Sequence, residues 1–419
     1  MRRRYLAPVL CLFILCLVSA YASANPPSQF PENATFTTLV TLPRAVEGLT
    51  GDGVNNLYIG GSGNAPCPIW QINLHKPTLT VVGNVTPPGG GTCAFSGIAF
   101  DAAGNLYQAD GTAGRIYTFK PNEKIPPPAT IFAQGVPGTN GLAFDRDGNL
   151  WTSDGVTGQG RVWKITGSGA NCTGSNPIVN CEEVFRIQPM RNGTALGGEI
   201  STIPTANQPT QGVGRSANTF PHTAAGGNQQ DLVANGIAFN HQGEMLVIDT
   251  ARGALWKVQF DRQGVLQSPT NYNTTFTDNT LCLSNVFVAH PILEGGDGIA
   301  LDVAGNIWVD ANERNAVAVV TKDGRVSEVF RNPVNLSGLR NSADPSVGNN
   351  HILEFPTSPF LSGKIFCTAN SDGNRRDNFP RSDGEIDGGG TTVGKDLGKI
   401  SCMDPDQELT IQGLPLPVH

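Results

Sequence analysis

Asn235-Gly236-Ile237-Ala238-Phe239-Asn240-His241-Gln242-Gly243-Glu244-Met245-Leu246-Val247-Ile248-Asp249 is the stretch whose reading decides the fold. Close relatives start at Ser96 (SGIAFDAAGNLYQAD), Asn140 (NGLAFDRDGNLWTSD) and Asp297 (DGIALDVAGNIWVDA), and a weaker one at Glu47 (EGLTGDGVNNLYIGG). In all five, the first Gly precedes the Asn or Glu of the turn by eight positions. A fixed offset of this kind marks a repeated supersecondary unit. The apolar run Gly-Ile-Ala-Phe predicts a strand buried on both faces. The x-x-Gly-Asn that follows is hairpin-turn chemistry, because Gly tolerates positive φ. A return strand, a second polar turn and a third strand follow, such as Ile116 to Phe119 or Ala254 to Val258.

Stacked meanders joined by Gly-rich turns predict an all-β fold, a six-bladed β-propeller with four-stranded antiparallel blades. Repeats start at Gly48, Gly97, Gly141, Gly236 and Gly298, and a degenerate sixth near Pro356, placed by the turn Ser362 to Phe366. Thr35 to Leu42 alternates like a strand and is expected beside Gly398 to Met403, closing the ring and removing its free edges. The predicted layout is a signal peptide at 1–24, a mobile lead-in at 25–34, a single propeller at 35–412 and a tail at 413–419. The step from Gly141 to Gly236 is about twice those before it. It holds a long insertion at about 166–233, readable as a lid over the channel, a decorative loop or a degenerate seventh blade.

Composition agrees. The 419 residues include 51 Gly and 30 Pro, with 15% charged residues, as suits a turn-rich β protein. A net charge of −7 without a basic stripe argues against nucleic acid as a partner. Arg2-Arg3-Arg4, the apolar Leu6 to Val18 and Ala22-Ser23-Ala24 form a secretory signal, so a periplasmic or extracellular location is expected. No later stretch is long enough to span a membrane, and a monomer is expected. Export permits disulfides. Beyond Cys11 and Cys16, Cys172–Cys181, Cys67–Cys93 and Cys367–Cys402 are plausible pairs, with Cys282 left over, though sequence does not fix connectivity. No C-x-x-C, H-x-x-x-H or G-x-S-x-G occurs, which disfavours a zinc-thiolate site and a serine hydrolase.

The residue before each repeat Gly carries the chemistry. In a propeller the first strand of each blade lines the channel, so these positions should meet at one mouth: Glu47, Ser96, Asn140, Asn235, Asp297 and, in the degenerate blade, about Phe355. Each alone reads as a turn cap. Together, two carboxylates and two amides suit a hard divalent cation, since close carboxylates need a proton or a cation. Ca²⁺ is the first choice, with Mg²⁺, Mn²⁺ or Zn²⁺ as alternatives. Asp110, Asp154, Asp249 and Asp310 at the ends of second strands read as turn caps or partners of a nearby Arg.

These phrases resemble the SMP-30/gluconolactonase/LRE family of six-bladed propellers, related to NHL-repeat propellers. Glu47-Gly48 matches its first-blade E-G box. Asn140 matches the Asn before a middle blade's inner strand. Asn235 matches the second Asn in N-G-[IL]-A-[FW], and Asp297 with Gly305-Asn306-Ile307-Trp308 matches its D-G phrase. The resemblance implies Glu47, Asn235 and Asp297 as metal ligands, Asp297 also as general base, and Asn140 on water or substrate. Ser96 stands beside it as a further water- or substrate-binding candidate. The family's first box usually continues with Pro, where Leu49 stands, and Pro137, Gly138 and Thr139 replace a sugar-binding Arg. The expected activity is therefore a metal-dependent lactonase or carboxylic ester hydrolase acting on a small lactone or ester. The alternative is a non-catalytic NHL-type propeller binding a protein, peptide or glycan.

Overall fold

The computed structural model describes residues 30, 34–155, 157, 159–173, 177–188, 234–250, 252–270, 277–293, 295–312, 315–331, 352–353, 355–371 and 398–403. The signal segment, most of the lead-in, residues 189–233 of the insertion and the tail lie outside them.

Six four-stranded antiparallel blades form the ring. The first comprises Leu49–Gly51, Asn56–Gly60, Cys67–Asn73 and Leu79–Val85. The second comprises Phe95–Phe100, Leu106–Asp110, Arg115–Phe119 and Thr130–Gln134, extended by Ala170–Asn171 as a parallel edge strand. The third comprises Thr139–Phe144, Leu150–Asp154, Arg161–Ile165 and Cys181–Arg186. Ile237–Phe239, Met245–Asp249, Ala254–Val258 and Val286–Ala289 make the fourth. Gly296–Leu301, Ile307–Ala311, Ala316–Val320 and Val326–Arg331 make the fifth. In the sixth, Pro356–Ser362, Ile365–Asn370 and Lys399–Met403 are joined by the N-terminal Phe36–Thr41, with Phe36 opposite Met403 and Thr41 opposite Lys399. Within the expected insertion, Cys181–Arg186 thus completes blade three and Ala170–Asn171 edges blade two.

The strands buried on both faces are the second ones, not the first. Leu106–Asp110, Leu150–Asp154, Met245–Asp249 and Ile307–Ala311 are buried at every position. In blades two to six the first strands keep partly exposed residues, as in Thr139–Phe144, because one side faces the channel, while the short Leu49–Gly51 is buried throughout. The apolar cores lie between adjacent blades. Trp151, Val162 and Phe185 of blade three pack on Met245, Val247 and Trp256 of blade four, for instance. Trp308 and Val317 of blade five meet Phe36 and Phe366 of blade six.

The turn of each repeat is closed by its own side chains. Asp101 accepts from the Asn105 backbone and side chain, and Asp302 does the same for Asn306. Trp151 and Trp308 donate their indole N–H to Asp145 and Asp302, which ties the second strand to the turn. The three cysteine pairs, Cys67–Cys93, Cys172–Cys181 and Cys367–Cys402, are disulfides, and Cys282 is free. Disulfides of this kind fit an extracellular or periplasmic protein. Among the described residues no helix is long and apolar enough to cross a membrane.

Candidate metal centre

The repeat glycine is set by crowding at the axis. A Cβ on Gly48 would fall within 3.0 Å of the Ser96 carbonyl oxygen, and one on Gly97 equally close to that of Asn140. Gly141 meets the carbonyl of Asn235 in the same way, and Gly236 that of Asp297. Neighbouring inner strands therefore touch backbone to backbone, and only Gly permits it. Each glycine thereby brings the residue before the next blade's glycine to the axis.

The same relation locates the sixth ring position. Gly298 faces the Thr357 carbonyl, so Thr357 stands there rather than Phe355. Phe355 instead adopts φ 56° just ahead of the inner strand and donates its N–H to Asn315 Oδ1 at 2.7 Å. The Thr357 hydroxyl donates to the Glu47 carbonyl at 2.8 Å, linking the sixth blade to the first.

Glu47, Asn140, Asn235 and Asp297 come together. The Asn140 amide lies close enough to Glu47 to favour its charged form, and the Asn235 amide does the same for Asp297. Asn140, Asn235 and Asp297 also line one pocket on the axis. Asp297 is 5% exposed, whereas Glu47 keeps some surface at the mouth. Burial pushes the Glu47 carboxyl up to about 7, with the Asn140 amide opposing. Asp297 is raised well above the usual carboxylate range, by burial first and then by the Glu47 charge, with Asn312 and Asn235 opposing. An acid as buried as Asp297, raised further by the Glu47 charge, needs a proton or a cation.

Asn235 supplies the test of fit. Its Nδ2 donates to Thr250 Oγ1 at 3.1 Å, while its fully buried Oδ1 has no hydrogen-bond partner among the described residues. A buried amide oxygen left bare is costly unless something else takes its lone pair. Carboxylate and amide oxygens together match a hard cation such as Ca²⁺. Glu47, Asn140, Asn235 and Asp297 offer oxygen donors with no His or Cys among them, unlike the N/S sets of structural Zn²⁺ sites.

Ser96 is differently placed. It is buried, and its hydroxyl proton is committed to the Thr139 carbonyl at 2.8 Å, which leaves it only acceptor capacity toward a ligand.

Of the second-strand aspartates, three are turn caps or Arg partners. Asp110 accepts from the Ala113 N–H, Asp154 accepts from Thr157 and Arg161, and Asp249 from Arg252 and Trp256. Asp310 is not one of this set. Ala311 fills the corresponding position, opposite Gly296 as Asp154 is opposite Thr139. One residue earlier, the Asp310 side chain points to the other face, where it pairs with the Thr368 hydroxyl at 2.5 Å. Burial raises its carboxyl well above the usual range, and its charge adds to the elevation of Asp297.

A second tier of residues was not anticipated from the sequence. It lies just after each second strand, at Gly111, Gly155, Thr250 and Asn312. A Cβ on Gly155 would collide with the Asn140 side chain, Thr250 holds Asn235, and Asn312 Nδ2 donates to Asp297 Oδ2 at 3.1 Å. The available signal was the constant offset of these positions from Gly97, Gly141, Gly236 and Gly298.

The family model described as SMP-30/Gluconolactonase/LRE-like region matches residues 218–337, which contain Asn235 and Asp297. No curated protein matches the chain. Among solved structures, a luciferin-regenerating enzyme is similar at 12% identity over 92% of this chain and 99% of its own, with a TM-score of 0.50. A calcium-binding protein, regucalcin, from Agrobacterium tumefaciens strain C58 is similar at 14% identity over 93% of this chain and 98% of its own, also with a TM-score of 0.50. At such identities the likeness is one of fold. The chain carries, over residues 218–337, the SMP-30/gluconolactonase/LRE-like region that its repeat phrases resemble, set within a six-bladed propeller.

Proposed function

We propose that the protein is an exported hydrolase of the lactonase or carboxylic ester type that uses one divalent cation, Ca²⁺ first, at the mouth of its channel. Glu47, Asn235 and Asp297 would hold the cation, and Asn140 would orient water or substrate. The observation that carries this reading is a buried Asp297 carboxyl, raised further by the Glu47 charge, sharing a pocket with the unpartnered buried amide oxygen of Asn235. The gluconolactonase-like region over blades four and five supports a lactone or ester as the substrate class. The basic and apolar N-terminal segment and the three disulfides support export.

Held by Glu47, Asn235 and Asp297, a divalent cation would supply Lewis-acid chemistry toward an acyl carbonyl or a water. The chain supplies the rest. Asp297, whose Oδ2 accepts from Asn312, would accept a proton from the attacking water and return it to the leaving alkoxide. Asn140 packs over Gly155 beside Glu47, which would orient its amide before a substrate arrives. The product of a lactone would be the open hydroxy acid.

The test is a panel of lactones and aryl esters assayed with Ca²⁺, Mg²⁺ or Mn²⁺ and with EDTA. Hydrolysis that depends on the cation is expected. Cation binding with no hydrolysis across the panel would leave the binding-propeller alternative.

A further inference from the structure

We infer that Thr250 and Asn312 are positioning residues that decide which atoms the centre presents to a cation, Thr250 by fixing the orientation of the Asn235 amide. This rests on the metal-centre reading above and adds a determinant of selectivity to it.

The argument starts from one proton. The Thr250 hydroxyl has a single hydrogen, and it donates it to the Gly296 carbonyl at 2.7 Å. Toward Asn235, 3.1 Å away, the same oxygen can therefore only accept. An amide has two ends of nearly equal size, and only the Nδ2 end can donate. Thr250 thus compels Asn235 to turn Nδ2 inward and leaves Oδ1 as the outward atom. The Oδ1 end is left without a hydrogen-bond partner among the described residues. With the amide reversed, Oδ1 would face the Thr250 lone pairs, and an N–H would face the cation. Both are repulsive.

Asn312 works on the neighbouring ligand. Its Nδ2 donates to Asp297 Oδ2, which fixes the carboxylate's orientation and leaves Oδ1 the less encumbered oxygen. Both residues are buried, at 0% and 1% exposure, and both come from the rigid end of a fully buried second strand. The Gly296 carbonyl that takes the Thr250 proton lies next to Asp297, so the two tiers are joined across blades four and five. Such outer partners typically govern metal affinity by about 10–100-fold.

The experiment is calorimetric titration of the full chain with Ca²⁺ alone, on wild type, Thr250→Val, Thr250→Ala and Thr250→Ser, alongside urea unfolding in EDTA. Thr250→Val keeps the volume but has no acceptor, Thr250→Ala leaves room for a water should Val fail to fold, and Thr250→Ser keeps the hydroxyl. Val and Ala are expected to weaken Ca²⁺ binding about 10–100-fold while Ser restores it. Wild-type binding retained in folded Val or Ala, with only the urea midpoint lowered, would overturn the inference and leave Thr250 a structural residue. Absence of Ca²⁺ binding in wild type itself would overturn the metal centre, and this inference with it. Asn312→Leu provides an independent reading: weaker binding supports the second tier, and unchanged binding removes Asn312 from it.

Discussion

Glu47 and Asp297 carry the chemistry at the scale of single residues, and their state depends on pH in a direction that can be worked out. Without a cation, the folded protein holds a proton on Glu47 up to about pH 7, whereas an unfolded chain releases it near 4.5. Between those values the native state binds more protons, so stability contributed by this group is full below 4.5 and lost as pH rises through about 7. Urea unfolding in EDTA should show that decline. Saturating Ca²⁺ should reverse its sign, because ligands must deprotonate to bind. Asp297→Asn removes the proton acceptor and should lower turnover by about 10²–10⁴. It also removes a buried repulsion, so the cation-free protein should be no less stable than wild type, which thermal unfolding in EDTA would check. Five of the six ring positions could be located in the sequence because each precedes a repeat glycine. Asp310 was misjudged because blade five carries its Asp one position early, and a one-residue shift turns a side chain to the opposite face of a strand.

Strands and turns are where the repeat phrase acts. Inner strands approach so closely that Gly97→Ala would drive its Cβ into the Asn140 carbonyl. A clash with backbone cannot be relieved by a rotamer change, so a loss of about 1–3 kcal/mol or more is expected in urea unfolding. Gly91, with nothing near its missing Cβ, is the control, and Gly91→Ala should be neutral. A clash at Gly97 should also disturb Asn140, so turnover should fall along with stability. The turn chemistry and the third strands could be read directly, since they depend on local residues. Which strand is buried on both faces could not. An apolar run lining a channel and one packed between blades look alike until neighbouring blades are in place. The sixth ring position was misplaced at Phe355 for a related reason. Its blade has Ser358 where the others have Gly, so the counting that works elsewhere had no anchor.

At the scale of the whole molecule, the ring is shut by Phe36–Thr41 lying against Lys399–Met403, and Cys367–Cys402 ties the middle strands of that same blade. The span of 35 residues between these cysteines predicts about 3–4 kcal/mol from restriction of the unfolded chain. Replacing both by Ser should therefore lower the urea-derived stability by up to about that amount. Because Thr357 of this blade holds the Glu47 carbonyl, loosening the closure should also weaken the site, which links the seam to the chemistry. Closure gathers groups that lie far apart along the chain, from Glu47 to Asp297, around one axis. The most direct measurement of that claim is the thermal unfolding midpoint of wild type and Asp297→Asn across a Ca²⁺ titration. The account predicts a midpoint that climbs with Ca²⁺ concentration in wild type and stays flat in the variant. A flat wild-type response, or an equal rise in both proteins, would contradict it.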